Sequence, residues 1–382
     1  AYYCFMTDEE IELQRQQAQS AGTHAHINSP YENWELTKAL SERASGKKAV
    51  VRFKTRSLKK DYVLNDLVRG EVSFPSDMVG DFVLLRSDGM PVYNFCCVVD
   101  DHLMKISHVL RAEEHLPNTL RQMMIYEGMG WDLPHFGHIS LVLDEDRQKM
   151  SKRRGATSCF QFKEEGYLPE AILNFVALLG WSHPDGKELV SVDEMKKSFS
   201  IDRLNPSGAI FDRVKLKWMN AQYLRALSDE TLWNHTEPFL KKAGLDLPYS
   251  DKKWAYQSLQ TFKTYMETFA DSVPFYASLD DSKFEILPEA SEVFAWETTK
   301  PVLAKWRELI QAHPSGSFSE AEFLKIQDEV KNATGAKGKN LFQAIRVAVI
   351  GKPHGTELKL LVPLMNKKSL IARADIASKK LG

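Results

Sequence analysis

Two neighbouring stretches, Ile139-Ser140-Leu141-Val142-Leu143 and Lys149-Met150-Ser151-Lys152-Arg153, decide how this chain is interpreted. The apolar run predicts a buried strand, and the loop behind it carries two lysines and is closed by Gly155. Ammonium groups at the end of a strand can stabilise charge that develops on nucleotide phosphates in a transition state. The pattern indicates a phosphate-binding loop. Contact with an RNA backbone, which Arg153 and Arg154 would also support, is the alternative.

The composition is typical of a globular protein with more than one core. The chain has 382 residues, which exceeds one typical core, so two or more domains are expected. Hydrophobic residues make up 43% and charged residues 26%, both ordinary values. No apolar stretch is long enough to span a bilayer, and no signal-peptide pattern opens the chain. We therefore predict a cytoplasmic protein without a membrane partner.

The four cysteines give no disulfide framework, which suits a reducing compartment. Cys96 and Cys97 lie in an apolar run and are interpreted as small buried hydrophobic residues. Tetrahedral zinc needs four ligands, and Cys4 with His24 and His26 offers only three. The sequence therefore predicts no metal at this position.

Positive charge is concentrated at the end of the chain, although the net charge of the whole is −1. Residues 331–382 contain eleven Lys or Arg and two acidic residues, a segment charge of +9. RNA binding needs only such a local positive surface. A solvated helical surface is the alternative.

The periodicity predicts an α/β part followed by a helical part. Strands are expected at 49–53, 70–74, 81–86 and 91–95, the last following an Asp-Gly hairpin turn. A strand at 105–110, a helix at 116–127 ended by Gly128 and a strand at 138–143 then predict a parallel sheet. In such a sheet function lies where strand ends meet loops, so Arg111 and Glu114 are expected to converge with Lys149 and its neighbours. After residue 159 the pattern is helical, with Trp218, Trp233, Trp254, Trp296 and Trp306 predicted to lie in the core.

Several further motifs surround the loop at residues 149–155, called the lysine loop below, in a fixed order. They are Tyr93-Asn94-Phe95, Val99-Asp100-Asp101-His102, His108-Val109-Leu110-Arg111-Ala112-Glu113-Glu114-His115, Gly166-Tyr167-Leu168-Pro169-Glu170-Ala171 and Leu178-Leu179-Gly180-Trp181-Ser182. In this order and spacing the chain resembles bacterial-type glutamyl-tRNA synthetases, which are class I aminoacyl-tRNA synthetases. The resemblance covers the whole chain.

The resemblance implies a fold and a division into domains. Residues 1–90 would form an inserted α+β domain that binds the acceptor end, and 91–158 the second half of a Rossmann-like catalytic domain with the KMSKR loop. Residues 159–225 would form a stem-contact helical linker, and 226–382 a helical anticodon-binding region of two subdomains. The H-I-G-H half of the catalytic domain is not found, so N-terminal truncation is expected. The family often has a zinc knuckle here, but Met6 stands where its second cysteine would be.

The resemblance also implies residues for substrate binding. Arg111 would grip the glutamate side-chain carboxylate, since a guanidinium binds a carboxylate with two parallel bonds. An ion pair with Glu113 or Glu114 is the alternative. Tyr93 would line the same pocket, with a half-buried strand tyrosine as its alternative.

ATP binding is assigned in the same way. Lys152 would bind the phosphates as the main catalytic residue, with Lys149 and Arg153 assisting and Met150 and Ser151 in contact with ATP. Glu114 would lie near the ribose and the Val142 backbone near adenine. Many relatives have R-G-E-D where this chain has Arg-Ala-Glu-Glu, so the carboxylate arm at Glu114 is longer.

The implied activity is that of a glutamate–tRNA ligase using ATP with Mg²⁺, glutamate and tRNA(Glu), and acting as a monomer. The candidate RNA contacts are Lys339, Arg346 and Lys352. A non-catalytic tRNA-binding fragment is the alternative if the H-I-G-H half is truly absent. A tRNA-modifying paralogue that glutamylates queuosine is set aside, because such paralogues lack the helical tail.

Overall fold

The structure is a computed structural model that describes residues 1–22, 26–55, 58–150 and 158–381. These residues form two compact units. The first contains the described parts of 1–150 and 176–211, and the second those of 151–175 and 212–382. The division into four domains at residues 90, 158 and 225 stays a prediction.

The chain up to residue 150 mixes strands and helices. In order these are β1 Tyr2–Cys4, α1 Asp8–Ser20, α2 Leu36–Ala44, β2 Val50–Phe53, β3 Asp61–Asp66, β4 Gly70–Pro75, β5 Phe82–Leu85, α3 Tyr93–Leu103, β6 His108–Ala112, α4 Leu116–Met129, β7 His135–Ile139 and β8 Val142–Leu143. Strands β1, β2 and β5 form an antiparallel sheet, and β3 with β4 forms a hairpin. Strands β6 and β7 are parallel, as the strand–helix–strand pattern predicts.

A connecting region follows, which returns to the first unit. Its elements are α5 Cys159–Glu164, α6 Pro169–Gly180, α7 Val192–Ser198 and β9 Ala209–Ile210. Strand β9 pairs in parallel with β8, so this region extends the strand arrangement behind the lysine loop.

The remainder is helical. Its helices are α8 Arg213–Ala226, α9 Asp229–Lys242, α10 Lys252–Phe262, α11 Ser272–Ala277, α12 Ser291–Phe294, α13 Thr299–Ala312, α14 Glu320–Thr334, α15 Lys339–Ile350, α16 Leu358–Leu361 and α17 Lys367–Lys379. Trp306, Phe323 and Phe262 are fully buried in their common core. No strand occurs among the described residues after Ile210, so the predicted change from α/β to all-helical is confirmed, although the short strand β9 falls after residue 159, where helix alone was predicted. Across the described ranges, no helix is both long enough and apolar enough to cross a membrane.

The predicted strand at 91–95 is wrong, because Tyr93–Leu103 forms helix α3. Val92 is extended and caps the helix, and the amides of Phe95 and Cys96 bond its carbonyl. The run is rich in residues with strand propensity, but packing of α3 on α4 decides its conformation. Cys96 and Cys97 are therefore half-buried on a helix rather than buried in a strand.

Other element boundaries also differ from the prediction. The strand expected at 105–110 is β6, His108–Ala112, since Lys105 adopts a positive φ in the turn after α3. Helix α4 passes through Gly128 and ends at Met129, where Gly130 caps it in the left-handed conformation. The strand expected at 138–143 is two strands with different partners. Trp218 is 40% exposed, not a core residue, whereas Trp233 and Trp306 are buried.

Candidate active site at the ends of the parallel strands

The site is built on the carboxyl ends of β6 and β7. Their register pairs Arg111 with His138 and Ala112 with Ile139. Parallel strands end at one edge, so the side chains that follow both strands meet there. A short turn, Glu113–His115, then leads directly into α4.

The Arg111 guanidinium is fixed by neighbours on β7 and α4. Its Nε donates to His138 Nε2 at 3.3 Å, and its Nη2 donates to Thr119 Oγ1 at 2.5 Å and Gln122 Oε1 at 2.8 Å. The guanidinium carbon lies 5.4 Å from the centroid of the Phe136 ring. These bonds use the Nε–Nη2 edge, so Nη1 is the end that none of them engages.

The alternative of an Arg111–glutamate ion pair is not seen among the described residues. Glu113 pairs instead with Arg69, and Glu114 pairs with Lys149. The hydrogen bond from the Lys149 ammonium, and then its charge, lower the pKa of the Glu114 carboxyl. Lys149, the first residue of the lysine loop, is therefore joined by charge to the turn after β6.

His138 and Asp66 form a buried pair behind Arg111. Asp66 Oδ2 lies 2.5 Å from His138 Nδ1, and Oδ1 accepts the amides of Val68, Arg69 and His138. Burial by itself would raise the pKa of Asp66, but these hydrogen bonds outweigh it and lower the pKa. Burial lowers the pKa of His138, Asp66 opposes this, and the charges of Arg111 and Arg69 add to the lowering.

Tyr93 is the first residue of α3 and is 51% exposed, so the interpretation as a half-buried strand tyrosine is wrong. Its hydroxyl lies 3.5 Å from His115 Nδ1. Burial raises its pKa most, Cys97 raises it further, and Arg111 lowers it. Tyr93 and Arg111, the two residues predicted to bind glutamate, are thus electrostatic neighbours.

The start of the lysine loop is tied to β8. Lys149 forms an antiparallel bridge with Leu143, and the Met150 amide donates to the Val142 carbonyl at 3.3 Å. The Val142 carbonyl is therefore already engaged within the protein. Three predicted ATP-binding residues lie outside the described residues: Ser151, Lys152 and Arg153.

The predicted RNA contacts fall in one segment of the helical unit. Lys339 begins α15 and is exposed, with Glu292 at 3.8 Å. Arg346 lies on the same helix, and its Nη1 donates to the Gly355 carbonyl at 3.3 Å. Burial lowers the pKa of Arg346. Lys352 follows the end of the helix at Gly351.

The position considered for zinc holds a buried Cys4, which accepts a hydrogen bond from Ser29 at 3.4 Å. Within the described ranges no three His, Cys, Asp or Glu side chains are grouped as metal ligands. His24 lies outside those ranges, and the absence of zinc stays a prediction.

Sequence reasoning missed the residues that surround Arg111: Asp66, Thr119, Gln122 and His138. The available signal was the single histidine in the apolar stretch Phe136-Gly137-His138-Ile139, which register places opposite Arg111. Asp66 could not be found, since it lies 72 residues away in the hairpin β3–β4.

Comparison with known families gives matches along most of the chain. Residues 1–218 match the catalytic domain of tRNA synthetases class I (E and Q), and residues 231–377 match an anticodon binding domain. The chain belongs to the class I tRNA synthetases of the E and Q type. The mixed α/β part and the helical part correspond to these two matches.

Individual relatives are glutamate–tRNA ligases. The chain is 64% identical over 381 residues to the enzyme of Bdellovibrio bacteriovorus, covering all of this chain and 77% of that protein. It is 39% identical to glutamate–tRNA ligase 1 of Caldicellulosiruptor saccharolyticus, covering 98% of this chain and 78% of the other. The crystal structure of a glutamate tRNA ligase from Elizabethkingia meningosepticum, in complex with its amino acid, matches with a TM-score of 0.88 and 29% identity. It covers all of this chain and 80% of that one.

Proposed function

We propose that this protein is a glutamate–tRNA ligase. The α-carboxylate of glutamate attacks the α-phosphorus of ATP, the bond to pyrophosphate breaks, and glutamyl-adenylate forms. A hydroxyl of the terminal tRNA ribose then attacks the acyl carbon, and AMP leaves. Little covalent work falls to the protein, so positioning and charge stabilisation carry the rate.

The observation that carries this proposal is the ion pair between Lys149 and Glu114. Glu114 follows Arg111 by three residues, so the pair brings the start of the lysine loop to the edge that carries the guanidinium. A triphosphate and an acidic amino acid could therefore be held side by side. The glutamate–tRNA ligase names of the relatives support the same conclusion.

The roles follow from this arrangement. Arg111 and Tyr93 hold glutamate, with Nη1 of Arg111 as the end turned to the ligand. Lys152 stabilises the phosphates as charge moves to pyrophosphate, with Lys149 and Arg153 assisting and Met150 and Ser151 in contact with ATP. Glu114 contacts the ribose and the backbone of Val142 contacts adenine. The Val142 carbonyl already accepts a hydrogen bond from the Met150 amide. The amide of Val142 is therefore the backbone group proposed to contact adenine.

ATP enters with Mg²⁺, which keeps several waters and binds mainly through the phosphates, so a full set of protein ligands is not required.

The segment with Lys339, Arg346 and Lys352 contacts tRNA. We further propose that the protein acts as a monomer in the cytoplasm. For Arg346 the half-buried guanidinium indicates a mainly structural contribution, with Lys339 the stronger candidate.

Exchange of pyrophosphate into ATP tests the proposal. The full-length protein is expected to catalyse exchange with glutamate and tRNA(Glu) present, and not with glutamine substituted for glutamate. Binding of tRNA without exchange would favour the non-catalytic fragment. Transfer of glutamate to queuosine rather than to the terminal ribose would favour the modifying paralogue, which the match of 231–377 to an anticodon binding domain disfavours.

A further inference from the structure

We propose that Asp66 and His138 are positioning residues that hold the Arg111 guanidinium in the orientation required to bind glutamate. The inference rests on the proposed function, because it assigns a role to groups behind the glutamate-binding arginine. Neither residue would touch substrate. They would act through Arg111, as second-layer hydrogen bonds orient the ligands of a metal.

Burial and hydrogen bonding show that the Asp66–His138 pair has a fixed geometry. Both side chains are fully buried. Oδ1 of Asp66 accepts hydrogen bonds from three backbone amides, and Oδ2 is paired with His138 Nδ1. Both carboxylate oxygens are therefore held in place. A carboxylate held in this way cannot rotate to follow the imidazole, so it sets the position of the ring.

The pair also sets which imidazole nitrogen carries the proton. An ionised carboxylate only accepts hydrogen bonds, so His138 Nδ1 must be the protonated nitrogen. Nε2 then presents its one lone pair towards the Arg111 Nε–H at 3.3 Å and the Thr119 hydroxyl at 2.8 Å, and the Thr119 proton also has the His115 carbonyl within reach at 3.2 Å. With the proton on Nε2 instead, two donors would face each other at the Arg111 contact.

The remaining bonds complete a three-point support. Thr119 and Gln122, on successive turns of α4, accept from Nη2 of Arg111. The imidazole supplies the third point at Nε, so one planar edge of the guanidinium is fully engaged. A fixed plane matters because it sets the direction in which Nη1, the nitrogen outside these three bonds, presents its N–H groups to the glutamate carboxylate.

A substitution that reverses the proton assignment is the sharpest test. In the full-length protein, Asp66→Asn keeps the size of the side chain but allows its amide to donate to Nδ1, which moves the proton to Nε2. We expect the KM for glutamate to rise about tenfold or more while the KM for ATP stays within about twofold. Nitrogen NMR of the imidazole is expected to show the Nδ1–H tautomer in the wild type and the Nε2–H tautomer in the variant.

Two substitutions of His138 separate an effect on the orientation of Arg111 from an effect on folding. Gln places a carbonyl near the Nε2 position and so keeps an acceptor for Arg111, whereas Asn reaches only the Nδ1 position and keeps a donor to Asp66. We expect His138→Gln to retain a larger share of kcat/KM for glutamate than His138→Asn. A merely structural role would rank the two variants by their unfolding free energies instead.

The outcomes are distinguishable from failure of the proposed function. A wild-type protein without glutamate-dependent exchange would overturn the ligase assignment itself. If the wild type is active, two results would overturn the positioning role alone. One is an unchanged glutamate KM in Asp66→Asn, and the other is an equal kcat/KM for glutamate in His138→Asn and His138→Gln. If Asp66→Asn fails to fold, the pair at 138 and the tautomer of the wild type still decide the question.

Discussion

Lys149 and Glu114 lie 35 residues apart in the sequence and form an ion pair between the residue that follows β8 and its turn and the turn after β6. Both side chains are substantially exposed, so the pair contributes little to folding. Its consequence is positional, since an ammonium group is held beside the strand end that carries Arg111. ATP phosphates would then compete with Glu114 for this ammonium.

Replacement of Lys149 by Gln tests this position. We expect kcat/KM for ATP to fall about tenfold, because a charge that stabilises phosphate is lost, with the free energy of unfolding close to that of the wild type. Lys187→Gln is the matched control, since Lys187 is also an exposed lysine paired with a carboxylate, that of Glu194. Equal effects of the two substitutions would contradict a role for Lys149 at the phosphates.

Lys152 lies outside the described residues, and its role stays a prediction that kinetics can decide. Lys152→Ala is expected to lower adenylate formation by about 100-fold or more while the affinity for tRNA changes little, because the ammonium acts on developing charge. Single-turnover adenylate formation and tRNA binding measure the two effects. Equal losses in both would assign the loop to RNA contact. Lys197→Ala, an exposed lysine on α7, is the control.

Replacement of Arg111 by Lys keeps the charge and removes the planar fork. We expect the KM for glutamate to rise about 100-fold, and discrimination against glutamine to weaken, while the KM for ATP is unchanged. Steady-state exchange with each amino acid measures this. Unchanged glutamate kinetics would remove Arg111 from the pocket. Arg121→Lys on α4 is a suitable control, because that guanidinium bonds the Pro117 carbonyl of its own helix.

The buried His138 predicts a dependence of stability on pH. Its pKa is lowered in the folded protein, by burial and by the nearby charges of Arg111 and Arg69 against the opposing effect of Asp66. The folded protein therefore binds fewer protons here than the unfolded chain, and its stability falls as the pH drops below the ordinary histidine pKa. Relative to His138→Gln, the wild type is expected to lose about 1 kcal/mol between pH 7.5 and pH 5.5.

Denaturant unfolding at the two pH values measures this difference. Comparison with His138→Gln cancels the contributions of the other histidines. If the difference in unfolding free energy between the wild type and His138→Gln is the same at both pH values, His138 does not remain neutral in the folded protein.

Asn220 in α8 gives a test of the helical unit. Its fully buried side chain accepts the Leu168 amide at 2.8 Å and donates to the Glu267 carbonyl at 2.6 Å. Asn220→Ala leaves both backbone groups unpaired, so a loss of about 2–3 kcal/mol in unfolding free energy is expected. Asn234→Ala, at an exposed position of α9, should change stability by less than about 0.5 kcal/mol. Similar values for the two would refute the structural role of Asn220.

Much of the fold could be predicted from local signals. The capping boxes at Thr7 and Ser319 form as their spacing requires, since each depends only on residues within one helical turn. The parallel strands and the predominance of helices after residue 159 also follow from periodicity, whereas the two-residue strand β9 does not. The strand predicted at 91–95 failed because an apolar run rich in aromatic and β-branched residues fits a strand and a packed helix equally well, and contact with α4 made the choice.

The sequence by itself determined the family, the order of the α/β and helical parts, and the set of charged residues proposed to act in the reaction. These properties are carried by residue types at fixed spacing. Only the tertiary structure decided that Arg111 bonds His138, Thr119 and Gln122 rather than a neighbouring glutamate, and that Asp66 lies behind the imidazole. Strand register and burial bring together groups that are far apart along the chain, and no local pattern encodes which donor will then face which acceptor.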